Sequence, residues 1–469
     1  YIQRFYLYLN LTKPSRCLYL SYAQSNAQGQ AQSPAYLIAL ILRMYPKLVI
    51  QDNPKDEISQ MQMAQQATEI LLAGLRKDGE QQQNDGWREL FSWYLRSKEW
   101  KEQCLRWIQA AYEGAPESSI GKAAAVALYG KELENSATEL ERFAACAFAH
   151  FLQYGLKIEE RQEYEFRQAD LGNVIHQALE QFSRNLKKNR LTWRSLTDQE
   201  RDQLIDTSVE ETIHDYGNTI LESSARNQYM ILRVKRILRR TVWALQQQLK
   251  AGKYEPSRFE ISFSMEEDLK ASNFQLSEDE RLRLRGRIDR VDRYEEDDTI
   301  YVKVIDYKSG NTALDLTSVY HGLQLQLIVY LNAALELEEK NHPGKHAEPA
   351  GMFYYHVKDP LVDGKPGDEE EEIDRKLLEK LKVDGLVRAE EKILKDLDQE
   401  LEAGKKSLVI PAAYNKNGSL SSRSKTASKE QFEELRAYVN DKICKNGTRI
   451  LGGEMEKNPY KLKQRTACD

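Results

Sequence analysis

Two neighbouring stretches near the middle of the chain alternate apolar and polar residues, which is the side-chain period of a half-buried β-strand. They lie within 284–308 and read L-R-G-R-I-D-R-V-D-R-Y and T-I-Y-V-K-V-I-D-Y-K. Between them stand four consecutive acidic residues, 295–298, which indicate a solvated turn. The alternation therefore predicts a β-hairpin in which the apolar residues of the second strand share one face.

Two further segments have the strand pattern, and one lies on either side of the hairpin along the chain. They are 258–263 and 349–357. Between the hairpin and the later strand, 316–335 repeats apolar residues at a spacing of three and four, which predicts a single helix. The order strand, hairpin, helix, strand predicts an α/β fold, with a small mixed β-sheet flanked by helices.

The first half of the chain has mostly helical periodicity. Apolar and aromatic residues recur at three-and-four spacing in 33–112, 140–154 and 171–250, and such stripes are usually core. At the N-terminus an aromatic-rich helix is expected to run into a buried strand at 18–22, where leucine and tyrosine alternate. This part of the sequence predicts a helical region, and we assign no catalytic role to its apolar stripes.

Candidate chemistry lies where the hairpin strands end. Asp306 and Lys308 share the parity of the apolar residues before them, so they project to the same side. Asp289 lies on the preceding strand and is expected to be a cross-strand neighbour of Asp306. Two carboxylates and a lysine form a site for a divalent cation beside a cationic group, which is the chemistry that activates water against a phosphodiester.

Composition narrows the class of protein. The 469 residues carry a net charge of −5, so any contact with nucleic acid would need local basic patches. No apolar run is long enough to span a bilayer, and no signal peptide is visible. Five cysteines in so long a chain argue against a secreted disulfide framework. We expect a cytoplasmic enzyme and, since the sequence begins at Tyr1, a piece of a longer protein.

Three features have two interpretations when taken alone. His176 lies next to the apolar stripe of a helix, where a histidine is more often structural than a ligand. Cys146 lies among phenylalanines and has the pattern of a core cysteine. The basic residues of 233–240 predict either a solvated helix face or a phosphate-facing one.

Four short motifs that occur in a particular order favour a functional interpretation of the candidate residues. The chain contains, in turn, D-L-G-x-x-x-H, G-R-I-D-R-V-D, V-I-D-Y-K-S-G and L-Q-L-x-x-Y. With these motifs the chain resembles the RecB-like branch of the PD-(D/E)xK nucleases, and more closely the AddB family, which forms one half of the bacterial AddAB helicase–nucleases. The segments 351–360 and 419–432 are also similar to that family.

The resemblance implies three domains. Residues 1–45 would be the remnant of an inactivated superfamily 1 helicase-like domain, because Thr12, Lys13 and Pro14 stand where T-R-A is usual. Residues 46–128 would be a helical connector, and 129–469 the nuclease domain.

The family also implies roles for individual residues. Asp289 and Asp306 would hold Mg²⁺ (or Mn²⁺), with His176 and the backbone carbonyl of Tyr307 as further ligands. Lys308 would orient the attacking water and stabilise the developing charge. Two residues would position Lys308 or the DNA backbone, namely Gln326 and Tyr330.

A second cofactor is implied near the C-terminus. Members of the family hold a [4Fe–4S] cluster with one cysteine ahead of the nuclease core and three near the C-terminus. Cys146 matches the first of these and Cys468 the second. Because four thiolates are normally required, we expect this sequence to lack the last two ligands and its full-length parent to hold the cluster.

The resemblance implies an exonuclease. It would hydrolyse phosphodiesters of single-stranded DNA during repair of double-strand breaks by homologous recombination, in a heterodimer with the AddA helicase–nuclease and acting at DNA ends. Two alternatives stay open, namely a catalytically silent DNA-binding scaffold of the same complex and a Cas4-like nuclease.

Overall fold

The structure is a computed structural model, and it divides the chain into two compact units, Tyr1–Gly114 and Ala115–Asp469. The predicted three-domain division is a different description of the chain and stays a prediction. The structure describes residues 2–25, 31–50, 63–75, 84–112, 118–159, 168–215, 225–263, 269–364, 369–462 and 465–467.

The first unit is helical in the residues described. A small apolar core that includes Leu71, Trp87 and Tyr94 holds its last three helices together. The strand predicted at 18–22 is wrong, because that segment is irregular and Leu18 and Leu20 are exposed. Alternation alone does not make a strand without a second strand to pair with. The helices are α1 (Ile2–Thr12), α2 (Tyr36–Met44), α3 (Ala64–Leu75), α4 (Asp85–Arg96) and α5 (Lys101–Tyr112).

The second unit begins with helices around a first short strand. Ser136 caps one of these helices, since its hydroxyl accepts a hydrogen bond from the backbone N–H of Glu139. Three longer helices follow and pack on one another. The elements are α6 (Lys122–Tyr129), β1 (Glu132–Ser136), α7 (Ala137–Ala145), α8 (Ala147–His150), a π-helical turn (Phe151–Gly155), α9 (Gln168–Lys188), α10 (Asp198–Asp215) and α11 (Ala225–Ala251).

Ten strands and five further helices make up the rest of this unit in the described residues. The strands are β2 (Glu255–Ser262), β3 (Asn273–Gln275), β4 (Arg281–Arg285), β5 (Arg287–Glu296), β6 (Thr299–Lys308), β7 (His346–His356), β8 (Asp384–Arg388), β9 (Thr426–Ala427), β10 (Lys461–Leu462) and β11 (Arg465–Thr466). The helices are α12 (Leu316–Tyr320), α13 (Gln326–Asn341), α14 (Glu370–Lys380), α15 (Glu391–Leu397) and α16 (Lys429–Leu451).

A six-stranded sheet is the centre of the second unit, with the order β2-β5-β6-β7-β8-β9. The strands β5 and β6 pair antiparallel around the acidic turn, so the predicted hairpin is confirmed. The next pair, β6 and β7, is parallel, and α13 lies between these strands along the chain. A second sheet has the order β1-β4-β3.

Both faces of the six-stranded sheet are covered by helices. One apolar cluster joins Val302 and Val304 to residues of α7, α13 and α16, while the other joins Ile305 and Tyr307 to residues of α9, α10 and α11. Since strands with helices on both faces are buried on both sides, β6 is buried along most of its length, including its charged residues Lys303 and Asp306. The predicted fold class, a small mixed sheet flanked by helices, is confirmed.

Two predicted helices are interrupted. The helix predicted for 316–335 is divided into α12 and α13 at Gly322, whose φ of 80° does not continue an α-helix. The helix predicted for 140–154 stops at Cys146, which has an extended backbone with φ −165° and ψ 111°. These breaks fix where Gln326 and Cys146 lie in the fold.

Among the described residues, no helix combines the length and the apolar character that crossing a membrane would need.

Candidate metal centre

Three side chains from three different elements meet beside the edge of the six-stranded sheet. They are His176 of α9, Glu260 of β2 and Asp289 of β5, and their ligand atoms all lie within 4.8 Å of one another. The Nδ1 of His176 is 3.4 Å from Oδ2 of Asp289 and 3.9 Å from Oε1 of Glu260. One imidazole and two carboxylates at this separation form a donor set that suits a divalent cation.

Strand pairing brings the two carboxylates together. The register pairs Phe259 with Arg290 and Ile261 with Ile288, so Glu260 lies opposite Asp289. Glu260 has a φ of 50°, an uncommon value for this residue type. The sequence reasoning missed Glu260, because strand alternation assigned only its apolar neighbours to the interior. The signal available was an acidic residue between the apolar residues Phe259 and Ile261.

The charges in this group favour a cation. Burial acts to lower the pKa of His176, but the hydrogen bonds and negative charges of Asp289 and Glu260 outweigh it and raise the pKa to about 10. Burial raises the pKa of Glu260, and Asp289 adds to this effect against the attraction of His176. The point where these three side chains meet therefore stabilises positive charge.

Asp306 and Lys308 lie next to this group at the end of β6. The Nζ of Lys308 is 2.6 Å from Oδ2 of Asp306, whose side chain is buried. Burial and the negative charge of Asp289 raise the pKa of Asp306 to about 7, although Lys308 opposes the shift. Asp306 is not one of the three residues whose ligand atoms lie within 4.8 Å of one another. The structure thus places Asp306 beside the candidate metal-ligating group and in contact with Lys308.

Tyr307 contacts the group through its backbone. Its N–H donates a 2.7 Å hydrogen bond to Oδ2 of Asp289, which ties β6 to β5 at this point. Its side chain points to the other face of the sheet and is buried there against Tyr355. The predicted role of the Tyr307 carbonyl as a ligand stays a prediction.

A chain of hydrogen bonds fixes the lysine. Lys308 Nζ donates to Oε1 of Gln326 at 2.7 Å, and Nε2 of Gln326 donates to the hydroxyl of Tyr330 at 2.8 Å. The ammonium also lies 5.4 Å from the ring centroid of Tyr354. The structure therefore links Lys308 to Gln326 and, through Gln326, to Tyr330, while the roles of these two residues stay a prediction.

The junction between α7 and α8 receives the C-terminal segment. Cys146 is buried there, and the N–H of Tyr460 donates a 2.7 Å hydrogen bond to the carbonyl of Ala145. Farther along, the carbonyl of Ala467 accepts a hydrogen bond from Arg142 at 3.4 Å. Cys468 follows Ala467 in sequence and lies outside the described residues.

The basic residues of α11 form ion pairs with acidic neighbours. Lys235 pairs with Glu210 and Arg239 with Asp206, both on α10. Arg236 and Arg240 both contact Asp359. These partners support the interpretation of the helix as a solvated, charge-balanced face.

Comparison with known proteins identifies the family. Residues 134–469 match the family model of the PD-(D/E)XK nuclease superfamily, and this range contains every residue of the site described above. The chain belongs to the PD-(D/E)XK nuclease superfamily.

Curated relatives extend over the whole chain, and each is the B subunit of an ATP-dependent helicase/deoxyribonuclease. The chain is 41% identical over 477 aligned positions to the relative from Lachnoclostridium phytofermentans, and 32% identical over 475 positions to that from Clostridium acetobutylicum. The relative from Clostridium botulinum is 34% identical over 476 positions. Each alignment covers 100% of this chain, which spans only 40% to 41% of the relatives' lengths.

These relatives confirm the resemblance to the AddB family that the motif order indicated. The site of this chain contains residues of the acidic and lysine types that the superfamily's name gives, namely Asp289, Asp306 and Lys308. Its histidine and the Gln326–Tyr330 pair are additional.

Proposed function

We propose that this chain is the nuclease part of an AddB-type protein and acts as a metal-dependent deoxyribonuclease. The observation that carries the proposal is the convergence of His176, Glu260 and Asp289 on one point next to the Asp306–Lys308 pair. The relatives' name contains the word deoxyribonuclease, which supports the same conclusion. Its substrate would be single-stranded DNA, degraded as an exonuclease.

The donor set fits Mg²⁺. Asp289 and Asp306 would supply the carboxylate oxygens, with His176 and the carbonyl of Tyr307 completing the protein ligands and Glu260 as an addition to the predicted set. A bound Mg²⁺ would supply Lewis-acid chemistry, lowering the pKa of water and neutralising phosphate charge. Because an imidazole nitrogen is a softer ligand than oxygen, Mn²⁺ would be accepted as well.

Lys308 has the position of the group that completes the reaction. Its ammonium donates to Gln326, and it would donate a further hydrogen bond to the attacking water or to the phosphate oxygen that gains negative charge. Gln326 is held in turn by Tyr330. The two residues would keep the ammonium in place, so less of its freedom is lost when the substrate binds.

Cys146 and Cys468 would be two of the four thiolate ligands of a [4Fe–4S] cluster. The buried thiol of Cys146 stands at the junction that receives the C-terminal segment, and Ala467 is bound to Arg142 nearby. These two cysteines fit half of the ligand set that such a cluster requires. The cluster would connect the C-terminal segment covalently to this junction.

The assembly we propose is a heterodimer with an AddA helicase–nuclease. The relatives' name describes them as one subunit of a larger enzyme, which supports a second, different chain. The complex would process DNA ends in the bacterial cytoplasm during homologous recombination. Residues 1–45 would belong to a helicase-like domain and 46–128 to its connector.

The decisive experiment is degradation of end-labelled single-stranded DNA, with Mg²⁺, with Mn²⁺ and with excess EDTA. Wild type should cleave with either cation and stop in EDTA. Asp306→Ala and Lys308→Ala should each reduce the rate by about a hundredfold or more, as is typical when a charge-stabilising group is removed.

The matched control is Lys345→Ala. Lys345 pairs with Glu295 near the turn of the same hairpin, at the opposite end from the site. Its rate should equal that of wild type. Metal-independent cleavage, or full activity in Asp306→Ala, would exclude the proposed site. DNA binding without cleavage in every variant would favour the scaffold alternative.

A further inference from the structure

Helix α13, which carries Gln326, is held at its N-terminus by a carboxylate from another helix. Oε1 of Glu141, on α7, accepts hydrogen bonds from the backbone N–H groups of Leu325 at 2.6 Å and Gln326 at 3.0 Å. The residue at the N-cap position of α13 is Leu325, whose side chain makes no capping hydrogen bond. Glu141 therefore supplies the cap that the helix's own sequence lacks.

A carboxylate at this position has a clear physical effect. The first N–H groups of a helix have no acceptor within the helix, and the N-terminal end carries partial positive charge. A side-chain oxygen that accepts two of these N–H groups fixes the direction and depth of the first turn. Here that first turn begins with the residue that binds the lysine of the site.

Gln326 is thus fixed from two sides. Its backbone N–H is bound by Glu141, while its side chain accepts from Lys308 and donates to Tyr330. A shift of the first turn would move the side-chain oxygen that holds Lys308. The path from Glu141 to the ammonium consists of one hydrogen bond, one residue and a second hydrogen bond.

A second contact joins α7 to the same turn. Gly322, in the break between α12 and α13, has a positive φ, and an added Cβ there would lie 3.2 Å from Cβ of Ala144. The turn therefore packs directly on α7. Cys146 follows α7 immediately, so the junction that receives the C-terminal segment and the cap of α13 belong to one short stretch of chain.

We propose that Glu141 is a positioning residue for Lys308, acting through the N-terminus of α13 and Gln326. The inference rests on the proposed nuclease function. Glu141 lies on the helix before Cys146, outside the metal-ligating group, and its action on the reaction is indirect. A displacement of α7 would move Lys308 through the same contacts, those of Glu141 with Gln326 and of Gln326 with Lys308.

The test compares single-turnover cleavage rates and substrate affinities on single-stranded DNA. Glu141→Ala should lower the cleavage rate by about ten- to a hundredfold, the loss expected when a reacting group is displaced by about 1 Å. The dissociation constant for DNA should change by less than about threefold. Glu141→Gln retains a side-chain oxygen that can accept both N–H groups. It should recover most of the rate.

Two further variants distinguish this path from a general loss of structure. If Glu141 acts through Gln326, the double variant Glu141→Ala, Gln326→Ala should cleave no more slowly than Gln326→Ala alone, since residues in one path are not additive. Glu139→Ala is the matched control. It removes another carboxylate of α7, one that pairs with Arg285, and should leave the rate unchanged.

A readout that needs no activity accompanies these assays. Amide hydrogen exchange of wild type and Glu141→Ala should show faster exchange at 325–326 in the variant and not in Glu139→Ala. If wild type does not cleave DNA, the proposed function fails, and unchanged exchange at these amides would overturn the Glu141 contact separately. If wild type cleaves and Glu141→Ala equals it, or if the losses in the double variant add, the positioning role is wrong.

Discussion

Arg290 and Asp292 form a bidentate ion pair in which neither side chain is more than 1% exposed. The carboxylate of Asp292 also lies 3.2 Å from Nζ of buried Lys303, so it forms ion pairs with two basic side chains. The guanidinium of Arg290 lies over the ring of Trp193 at 4.9 Å. This group lies directly behind the site, since Arg290 follows Asp289 on the same strand.

Removing the carboxylate of this group should destabilise the protein strongly. Asp292→Ala leaves two cations in the interior without a counter-charge, and breaking a buried pair in this way costs about 3–5 kcal/mol. We expect that loss in the free energy of unfolding measured by urea denaturation. Asp279→Ala is the control, because Asp279 pairs with Lys131 at the surface, and it should show no measurable loss. Equal stability of the two variants would contradict the prediction.

Glu260 should contribute to metal binding although its sequence context did not indicate this. Glu260→Gln keeps the size of the side chain but removes one negative charge from the donor set, so the affinity for Mn²⁺ should fall by about tenfold or more. Isothermal titration calorimetry measures this directly. Glu255→Gln serves as control, because Glu255 lies on the same strand and pairs with Arg194 away from the site. An unchanged affinity in Glu260→Gln would remove this residue from the ligand set.

Gly286 is required by packing beside the site. An added Cβ would lie 2.4 Å from Cζ of Phe263 and 3.3 Å from Cε1 of Tyr330, so an aromatic ring would have to move. Gly286→Ala should lower the free energy of unfolding by about 1–3 kcal/mol. Thermal unfolding would show this, beside Gly310→Ala, where no heavy atom lies within 4 Å of the added carbon. A melting temperature equal to that of wild type in Gly286→Ala would contradict the packing argument.

The stability of the nuclease unit should fall in mild acid because of His150. Burial among aromatic rings lowers the pKa of His150 to about 4, and an unfolded histidine titrates near 6.5. Since the folded-state pKa is the lower one, the contribution to stability is complete above pH 6.5 and is lost as the pH falls towards 4.

His150→Phe should remove this dependence. Between pH 7 and pH 4.5, wild type should lose about 2–3 kcal/mol more free energy of unfolding than the variant. Urea denaturation at the two pH values provides the comparison. His346→Phe replaces an exposed histidine and should retain the wild-type dependence. Equal losses of the free energy of unfolding in wild type and His150→Phe would show that the buried imidazole does not cause the pH dependence of stability.

Local patterns predicted the features that depend on neighbouring residues. The hairpin of β5 and β6, the meeting of Asp306 with Lys308 and the Gln326–Tyr330 contact all follow from periods of two or four residues. The capping box at the start of α16 likewise joins Ser428 to Gln431, three residues apart. In each of these, the residues concerned are close in sequence, so a repeat in the sequence was sufficient.

Features that depend on pairing between distant segments were not predicted. Glu260 meets Asp289 because β2 pairs with β5, and the sequence of β2 alone does not specify this register. The cap of α13 by Glu141 likewise joins helices far apart in the chain. Cys146 has the periodicity of a helix interior, and yet the backbone turns there where the C-terminal segment packs.

The proposed metal ligands come from α9, β2, β5 and β6, and each of these elements is brought to the site by the sheet and its covering helix. A nascent or partly unfolded chain therefore holds the separate ligands but not the site. With the ligand set proposed above, the chain would become able to cleave DNA only when the sheet is complete. A protein that attacked DNA would in this way stay inactive until its fold is complete.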